Sequence, residues 1–159
     1  MRRAFFIFCA VVTSFLAAGR TEARHASSRS PIYNEAANAN QQIADAVTEA
    51  GAQNKRVLLD FGANWCSWCH KLHELFESDA SVAQVLKSDY VVVMVDLNKD
   101  HNQDIEARYG HPRRFGIPVL VVLDAEGKPL TTQDSGELEQ GDHHDPAKVL
   151  AFLKKWASG

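Results

Sequence analysis

The sequence predicts an α/β fold, in which a central mixed β-sheet is flanked by helices on both faces and an extra helix precedes the first strand. Short runs of apolar, β-branched residues alternate with segments whose apolar residues recur at helical spacing, as in parallel β-α-β units. The last long apolar run is followed by a turn sequence and a further short strand, which indicates an antiparallel pair. The chain of 159 residues suits one domain plus a short extra segment.

The N-terminal residues are not expected to belong to the domain. Two arginines precede an apolar run and then small residues, which predicts a signal peptide over residues 1–23, cleaved after residue 19 or 23. The apolar run is shorter than the ~20 residues that a membrane-spanning helix needs, and a retained anchor is the alternative. A polar stretch rich in Ser and Arg predicts a flexible linker over 24–34, with the domain over 35–159.

The first half of the domain is expected to hold three helices and two strands. Alanines and branched residues at helical spacing predict a helix over 35–50. The run RVLLDF predicts a strand buried on both faces over 56–61. The segment CHKLHELFES predicts a helix over 69–78, and SVAQVLKSD a short one over 81–89. The clearest strand, YVVVMVDL, covers 90–97.

The second half is expected to close the sheet. A helix ending at a glycine is predicted over 101–110, followed by a strand over 117–124. The turn AEGK then leads into a returning strand at 129–132. An Asp-Pro pair can cap and open the closing helix over 145–158. The preceding GDHHD, residues 141–145, is interpreted as a solvated loop.

Cysteine usage favours chemistry over stabilisation. Of the three cysteines, Cys9 lies in the predicted signal peptide, which leaves Cys66 and Cys69. A loop closed over two intervening residues constrains the unfolded chain little. An exported domain with no further cysteines also lacks a disulfide framework. We therefore favour a chemical role for the pair over a purely structural one.

The string CSWCH is compatible with three chemistries: a redox dithiol, a haem attachment site, and a zinc site that adds His70 and His73. Haem attachment is disfavoured because the string follows a buried strand in an α/β pattern rather than lying in a helical chain. Zinc is disfavoured because four ligands within eight residues are cramped for a tetrahedron. We therefore expect a dithiol, with no metal and no cofactor.

Three segments of the chain resemble the thioredoxin superfamily. They are VLLDFGANWCSWC, with an acid six residues before the first cysteine, then VVVMVD, and then FGIPVLVVLDAEGK. With the helices they cover residues 35–157, and the leading part is most similar to exported bacterial thioredoxin-like proteins with a WCxWC motif. The resemblance implies a thioredoxin-like fold and a thiol–disulfide oxidoreductase. Its partners would be protein disulfides and a thiol–disulfide protein that donates or accepts electrons, and we expect a monomer.

The resemblance also assigns catalytic roles. Cys66, at the start of a helix whose dipole stabilises a thiolate, would be the nucleophile and Cys69 the resolving thiol. The matching position of Asp60 implies an acid that moves protons to and from Cys69, through water. A buried unpaired carboxyl should have a raised proton affinity. The alternative is a solvated or backbone-bonded Asp at a strand end.

Further positions are expected to bind substrate. Ile117–Pro118 matches the family's cis-proline loop, whose backbone pairs with substrate as an added strand, and a trans proline at a strand start is the alternative. Trp65 matches the family aromatic that partly covers the site. Trp68 is expected to be exposed and to offer substrates an apolar contact, with packing as the alternative.

The residues beside the cysteines are expected to tune the reduction potential, namely Ser67, Trp68 and His70. A cation at His70 would favour thiolates and make the disulfide more oxidising, whereas the alternative is a merely exposed histidine. The sequence also departs from ordinary thioredoxin. Gly62 stands where an aromatic is usual, VVVMVD offers no lysine to pair with Asp60, and HPRRF is extra.

Function follows from these features and from charge. A net charge of −3 and the lack of a long basic run give no reason to expect nucleic-acid binding. The resemblance favours a periplasmic or secreted reductase of protein disulfides, which would need a membrane-bound electron donor in an oxidising space. Oxidase or isomerase activity stays open, as does a non-catalytic thioredoxin-like module that only binds partners.

Overall fold

Four strands form one mixed sheet in the part of the chain that the structure describes. The structure is a computed structural model, and it describes residues 29–158; the predicted signal peptide lies outside these residues. The strands are β1 (Arg56–Gly62), β2 (Tyr90–Asp96), β3 (Val119–Leu123) and β4 (Pro129–Asp134). Their order is β2-β1-β3-β4, with β1 parallel to β2 and antiparallel to β3, and β3 antiparallel to β4. The predicted mixed sheet is confirmed.

Helices cover both faces of this sheet. They are α1 (Ala39–Gln53), α2 (Ser67–Ser78), α3 (Ala80–Asp89), α4 (Gln103–Arg108) and α5 (Pro146–Trp156). Buried residues of α1 and α4 form one core cluster with the sheet, and those of α2, α3 and α5 form another. The predicted helices on both faces and the extra N-terminal helix are confirmed. Among the described helices, none is both long enough and apolar enough to cross a bilayer.

The central strand β1 determines where the candidate site lies. It pairs with β2 on one side and β3 on the other, and every residue after Arg56 is buried, which explains its nearly continuous apolar sequence. Side chains alternate between faces, so Leu59 and Phe61 join the α1 cluster while Leu58 joins the α2 cluster. Asp60 therefore points to the α2 side of the sheet.

The segment before the closing helix differs from the prediction. Residues 141–145 belong to a short hairpin of β5 (Glu139–Gln140) and β6 (His143–His144) rather than to a solvated loop. His144 is buried, so the prediction is wrong for this residue. The hairpin has two residue pairs in all, and it brings His144 into contact with α2.

The cap of α5 offers a test of the fold. Asp145 accepts hydrogen bonds from the amides of Ala147 at 2.8 Å and Lys148 at 3.3 Å. Removing these bonds in Asp145→Ala should lower the free energy of unfolding by about 1 kcal/mol. Asp142→Ala, three residues earlier and exposed, should change it by less than about 0.5 kcal/mol. Denaturant unfolding of the two variants compares them, and equal effects would contradict the capping role.

Candidate active site

The two cysteines of the CSWCH segment form a disulfide at the start of α2. Their Cα atoms are 5.3 Å apart. Cys66 is the N-cap residue of the helix, and its sulfur accepts a hydrogen bond from the amide of Cys69 at 3.1 Å. Cys66 keeps 6% exposure whereas Cys69 is fully buried. The disulfide therefore has an outer sulfur at a helix N-terminus and an inner sulfur beneath it.

The loop before β3 lies against the outer sulfur. The Ile117–Pro118 peptide bond is cis, and the carbonyl oxygen of Ile117 is 3.5 Å from the Cys66 sulfur. Pro118 is buried, and its carbonyl accepts a hydrogen bond from the Ser135 hydroxyl. The loop thus presents main-chain atoms beside the sulfur that a partner would reach first.

The two tryptophans of the segment occupy different environments. Trp65 is 70% exposed, next to Cys66. Trp68 is half-buried: its ring meets the His144 ring edge-on with centroids 5.2 Å apart, and the Lys71 ammonium lies 4.4 Å from the indole centroid. The prediction of an exposed Trp68 is therefore wrong, because β6 supplies a packing partner that the local sequence does not reveal. Ser67 is exposed as the first residue of α2.

Two histidines contact main-chain carbonyls near the start of α2, the helix that carries the cysteines. The Nε2 atom of His70 lies 2.8 Å from the carbonyl oxygen of Asn64, and that of His144 lies 3.3 Å from the carbonyl oxygen of Trp68. Because a carbonyl can only accept, both Nε2 atoms carry a proton. Desolvation lowers the pKa of His144, so its ring stays neutral near neutral pH. His70 therefore contacts the turn that precedes Cys66 rather than pointing freely into solvent.

The four candidate zinc ligands of the alternative interpretation each make another contact in the structure. The two sulfurs are bonded to each other, His70 contacts Asn64, and His73 faces Glu77 at 3.5 Å. Within residues 29–158, no three His, Cys, Asp or Glu side chains lie close enough together to hold a metal ion. A haem attached through this segment would likewise need the two sulfurs that here form the disulfide.

The acid of the predicted site is fully buried. Asp60 lies opposite Met94 of β2 and Leu120 of β3, so its neighbours on the sheet are apolar. This desolvation raises the pKa of Asp60 to about 7, although a hydrogen bond from Tyr33 opposes the rise. The Tyr33 hydroxyl donates to Oδ1 at 2.9 Å, and Oδ2 has no partner among the described residues. The alternative of a solvated acid at a strand end is not supported.

Tyr33 reaches the acid across Gly62. A Cβ atom on Gly62 would lie 2.2 Å from the Tyr33 hydroxyl oxygen and 2.7 Å from the Cys69 sulfur. No side chain larger than hydrogen fits there without moving its neighbours. The position that usually carries an aromatic is therefore empty, and an aromatic from another segment fills the space.

The described part of the predicted linker is attached to the site. We call residues 31–35 the N-terminal strap. The side-chain oxygen of Asn64 accepts from the amides of Ile32 at 2.8 Å and Tyr33 at 2.9 Å, and its amide donates to the Tyr33 carbonyl at 3.0 Å. The prediction of a free linker up to residue 34 is wrong here, because Tyr33 is buried to 2% exposure.

Sequence reasoning missed three residues of the site, Tyr33, Asn64 and His144. The single signal for Tyr33 was the apolar pair Ile32–Tyr33 after a polar stretch, and Asn64 gave no signal. The expected residues do come together: Cys66 and Cys69 cluster with Tyr33, and Trp68 and Ile117 pack against them.

Comparisons with known proteins agree with this architecture. The model of a family described as thioredoxin-like matches residues 38–125, more than half of the chain. The thiol:disulfide interchange protein DsbD of Klebsiella pneumoniae is 32% identical over 107 residues, which are 67% of this chain and 17% of that protein. DsbD of Salmonella typhi is 34% identical over 79 residues, 50% of this chain and 14% of that protein. The chain thus spans a small part of these relatives' length.

Solved structures show the same fold. A disulphide isomerase from Xylella fastidiosa is 31% identical, with a TM-score of 0.70 and coverage of 78% of this chain and 95% of that one. DsbH oxidoreductase is 28% identical, with a TM-score of 0.53 and coverage of 70% and 78%. The predicted resemblance to the thioredoxin superfamily is confirmed: the protein belongs to the thioredoxin-like family, and its Cys66 and Cys69 form a disulfide.

Proposed function

We propose that the protein is an exported enzyme that reduces protein disulfides, with Cys66 as the nucleophile and Cys69 as the resolving thiol. The observation that carries the proposal is a disulfide at a helix N-terminus with a buried acid behind it. The amide of Cys69 donates to the Cys66 sulfur, and the helix dipole adds to this stabilisation of a thiolate. Of the two sulfur-bearing residues, Cys66 is the one that retains some exposure, 6% against 0% for Cys69.

The reaction would proceed in two exchanges. The Cys66 thiolate attacks a substrate disulfide, forming a mixed disulfide while one substrate sulfur leaves as a thiolate and takes up a proton. Cys69 then gives its proton to Asp60 and attacks the Cys66 sulfur, which forms the internal disulfide and releases the second substrate thiol. An acid whose pKa is about 7 can accept and return a proton at neutral pH.

Substrate would lie beside the cis-proline loop. The Ile117 carbonyl is next to the Cys66 sulfur, and an extended substrate segment could pair with this main chain as an added strand. Trp65, exposed beside Cys66, would cover the segment from the other side. Trp68 would contribute only the ring edge left free by its packing on His144.

The cellular setting is part of the proposal. Export rests on the sequence pattern of residues 1–23, and the similarity to DsbD, a thiol:disulfide interchange protein, supports exchange with other thiol–disulfide proteins. In an oxidising space a reductase needs electrons from a membrane-bound donor. We propose that the protein acts as a monomer. Disulfide isomerisation is a second candidate, because the similar Xylella fastidiosa protein is a disulphide isomerase.

Turnover tests the nucleophile. Wild-type protein should reduce insulin disulfides with a dithiol as electron donor, and Cys66→Ser should abolish this activity. Cys69→Ser should instead accumulate a mixed disulfide between Cys66 and the substrate, visible on a non-reducing gel. Activity that survives in Cys66→Ser would contradict the assignment. Inactivity of the wild type would favour a non-catalytic binding module.

The reduction potential of the Cys66–Cys69 couple tests the direction of electron flow. A value near that of thioredoxin, roughly −270 mV, is expected for a reductase, whereas one near −120 mV would indicate an oxidant. We propose that Ser67, Trp68 and His70 tune this value. His70→Ala should lower the potential modestly, because a cation near the cysteines favours the reduced thiolate form. An unchanged potential would remove His70 from this role. Equilibration with glutathione measures the reduction potential of wild type and of His70→Ala.

Stability against pH tests the burial of Asp60. Because its folded pKa of about 7 lies above the ordinary value of 3.8, ionisation destabilises the folded state as pH rises from about 4 to above 7. Asp60→Asn carries no carboxylate that can ionise. As pH rises between these values, the free energy of unfolding of the oxidised variant should therefore increase by up to about 4 kcal/mol relative to that of oxidised wild type. Asp45→Asn, on the exposed side of α1, is the matched control for removing a carboxylate. Urea unfolding at several pH values measures this, and a flat Asp60→Asn difference would refute a raised pKa.

A further inference from the structure

The Tyr33 hydroxyl bonds to the buried acid and borders the same space above Gly62 as the buried sulfur. Asp60 and Gly62 are two residues apart on β1, so they face the same side of the sheet. Tyr33 donates to Asp60 Oδ1 at 2.9 Å. The same oxygen and the Cys69 sulfur border the space above Gly62, at 2.2 Å and 2.7 Å from the point where a Cβ atom would lie. Acid, phenol and sulfur are therefore neighbours on one side of the sheet.

Few polar groups next to the Asp60 carboxyl could pass a proton to it. Opposite Asp60 on the flanking strands, the Leu120 side chain has no donor or acceptor, and the Met94 thioether is a weak acceptor with no proton to give. Among the described residues, Tyr33 supplies the hydrogen bond that the Asp60 carboxyl accepts. A hydroxyl can accept one proton while donating its own, so it can act as a relay without a net change in charge.

We propose that the Tyr33 hydroxyl relays the proton between Cys69 and Asp60, a role that rests on the proposed function of those two residues. When Cys69 resolves the mixed disulfide, its S–H proton passes to the Tyr33 oxygen as the Tyr33 O–H proton passes to Asp60. Tyr33 is regenerated, Asp60 becomes the neutral acid, and the Cys69 thiolate forms the new S–S bond. The substrate sulfur that leaves takes a proton from solvent.

The relay is held in place by the segment that carries the cysteines. Asn64, two residues before Cys66, makes three hydrogen bonds to the main chain of Ile32 and Tyr33. A fourth, from Asn64 to Glu35 at 2.9 Å, anchors the far end of the strap. The hydrogen bonds that Glu35 accepts from Asn64 and Asn98 lower its pKa and keep it an anion. The phenol is thus fixed relative to the disulfide.

The other ionisable groups around Asp60 are few. Cys69 is the group on α2 and Tyr33 the group on the strap. Asp96 lies at the end of β2, and after burial and Asp60 it also raises the pKa of Tyr33. On β3 the facing residue is Leu120. Burial raises the pKa of Tyr33 far above its usual value, so the phenol keeps its proton across the pH range of an assay.

Rapid mixing of reduced protein with an aromatic disulfide that releases a coloured thiolate separates the two steps. The first thiolate reports attack by Cys66, and the second reports attack by Cys69 on the mixed disulfide. In the wild type the second rate should rise with the ionisation of Asp60 and level off above about pH 7. Tyr33→Phe keeps the ring and loses the hydroxyl. Its second rate should fall at least about tenfold at pH 7 and increase with hydroxide concentration without levelling off.

Three variants serve as comparisons. Tyr90→Phe removes another buried hydroxyl, which donates to the Leu153 carbonyl at 2.7 Å, and should leave both rates unchanged. Asp60→Asn should slow the second step, and adding Tyr33→Phe to it should slow the step no further, because the two residues act as one unit. Asn64→Ala keeps the hydroxyl but frees the strap, and its second rate should also fall.

The outcomes separate this inference from the proposed function. An unchanged second-phase pH profile in Tyr33→Phe, with Asp60→Asn slowed, would overturn the relay and leave Asp60 in its role. Additive losses in the double variant would also overturn it. A first phase that survives Cys66→Ser would instead overturn the proposed function. An unaltered first phase verifies that each variant is folded. If Tyr33→Phe fails this check, Asn64→Ala takes its place, and a second phase that is not slowed in Asn64→Ala would overturn the relay.

Discussion

The hydrogen bond between Tyr33 and Asp60 is the interaction on which the rest of the site depends. Placing a carboxyl in the central strand of a sheet, opposite Met94 and Leu120, costs stability whenever the group is charged. One donated bond at 2.9 Å offsets part of that cost, and it requires Gly62, because a larger side chain would occupy the position of the phenol. The strap, the glycine and the acid therefore form one unit.

This dependence changes how the domain is bounded. A strap that carries a buried tyrosine belongs to the folded unit, since its main chain is bonded to Asn64 and its side chain completes the core beside the disulfide. The same arrangement accounts for two departures from ordinary thioredoxin. The aromatic missing at Gly62 is supplied by Tyr33 from the strap, and the polar partner that a lysine would give Asp60 is a phenol instead.

The features that could be predicted from the sequence are those set by local pattern. The strands and helices follow from periodicity, and the position of Cys66 follows from a helix that starts beside it. Tyr33, Asn64 and His144 could not be predicted, because their contacts join residues 27, 31 and 76 positions apart. Their own segments are polar and resemble loops, and only the folded chain shows which residues they meet. Trp68 was misplaced for the same reason.

The arrangement also separates proton transfer from the direction of electron flow. In the proposed mechanism, an acid whose pKa is about 7 would take a proton from Cys69 during oxidation of the dithiol and return it during reduction, so Asp60 would serve both directions. Direction must then depend on how strongly the outer thiolate is stabilised relative to the disulfide. The groups near that sulfur are the Cys69 amide, the N-terminus of α2 and the Ile117 carbonyl, whose negative end disfavours a thiolate. The amide favours the thiolate and the carbonyl disfavours it. In the mechanism that we propose, the direction of electron flow would follow from the balance between these two groups, together with the tuning by Ser67, Trp68 and His70.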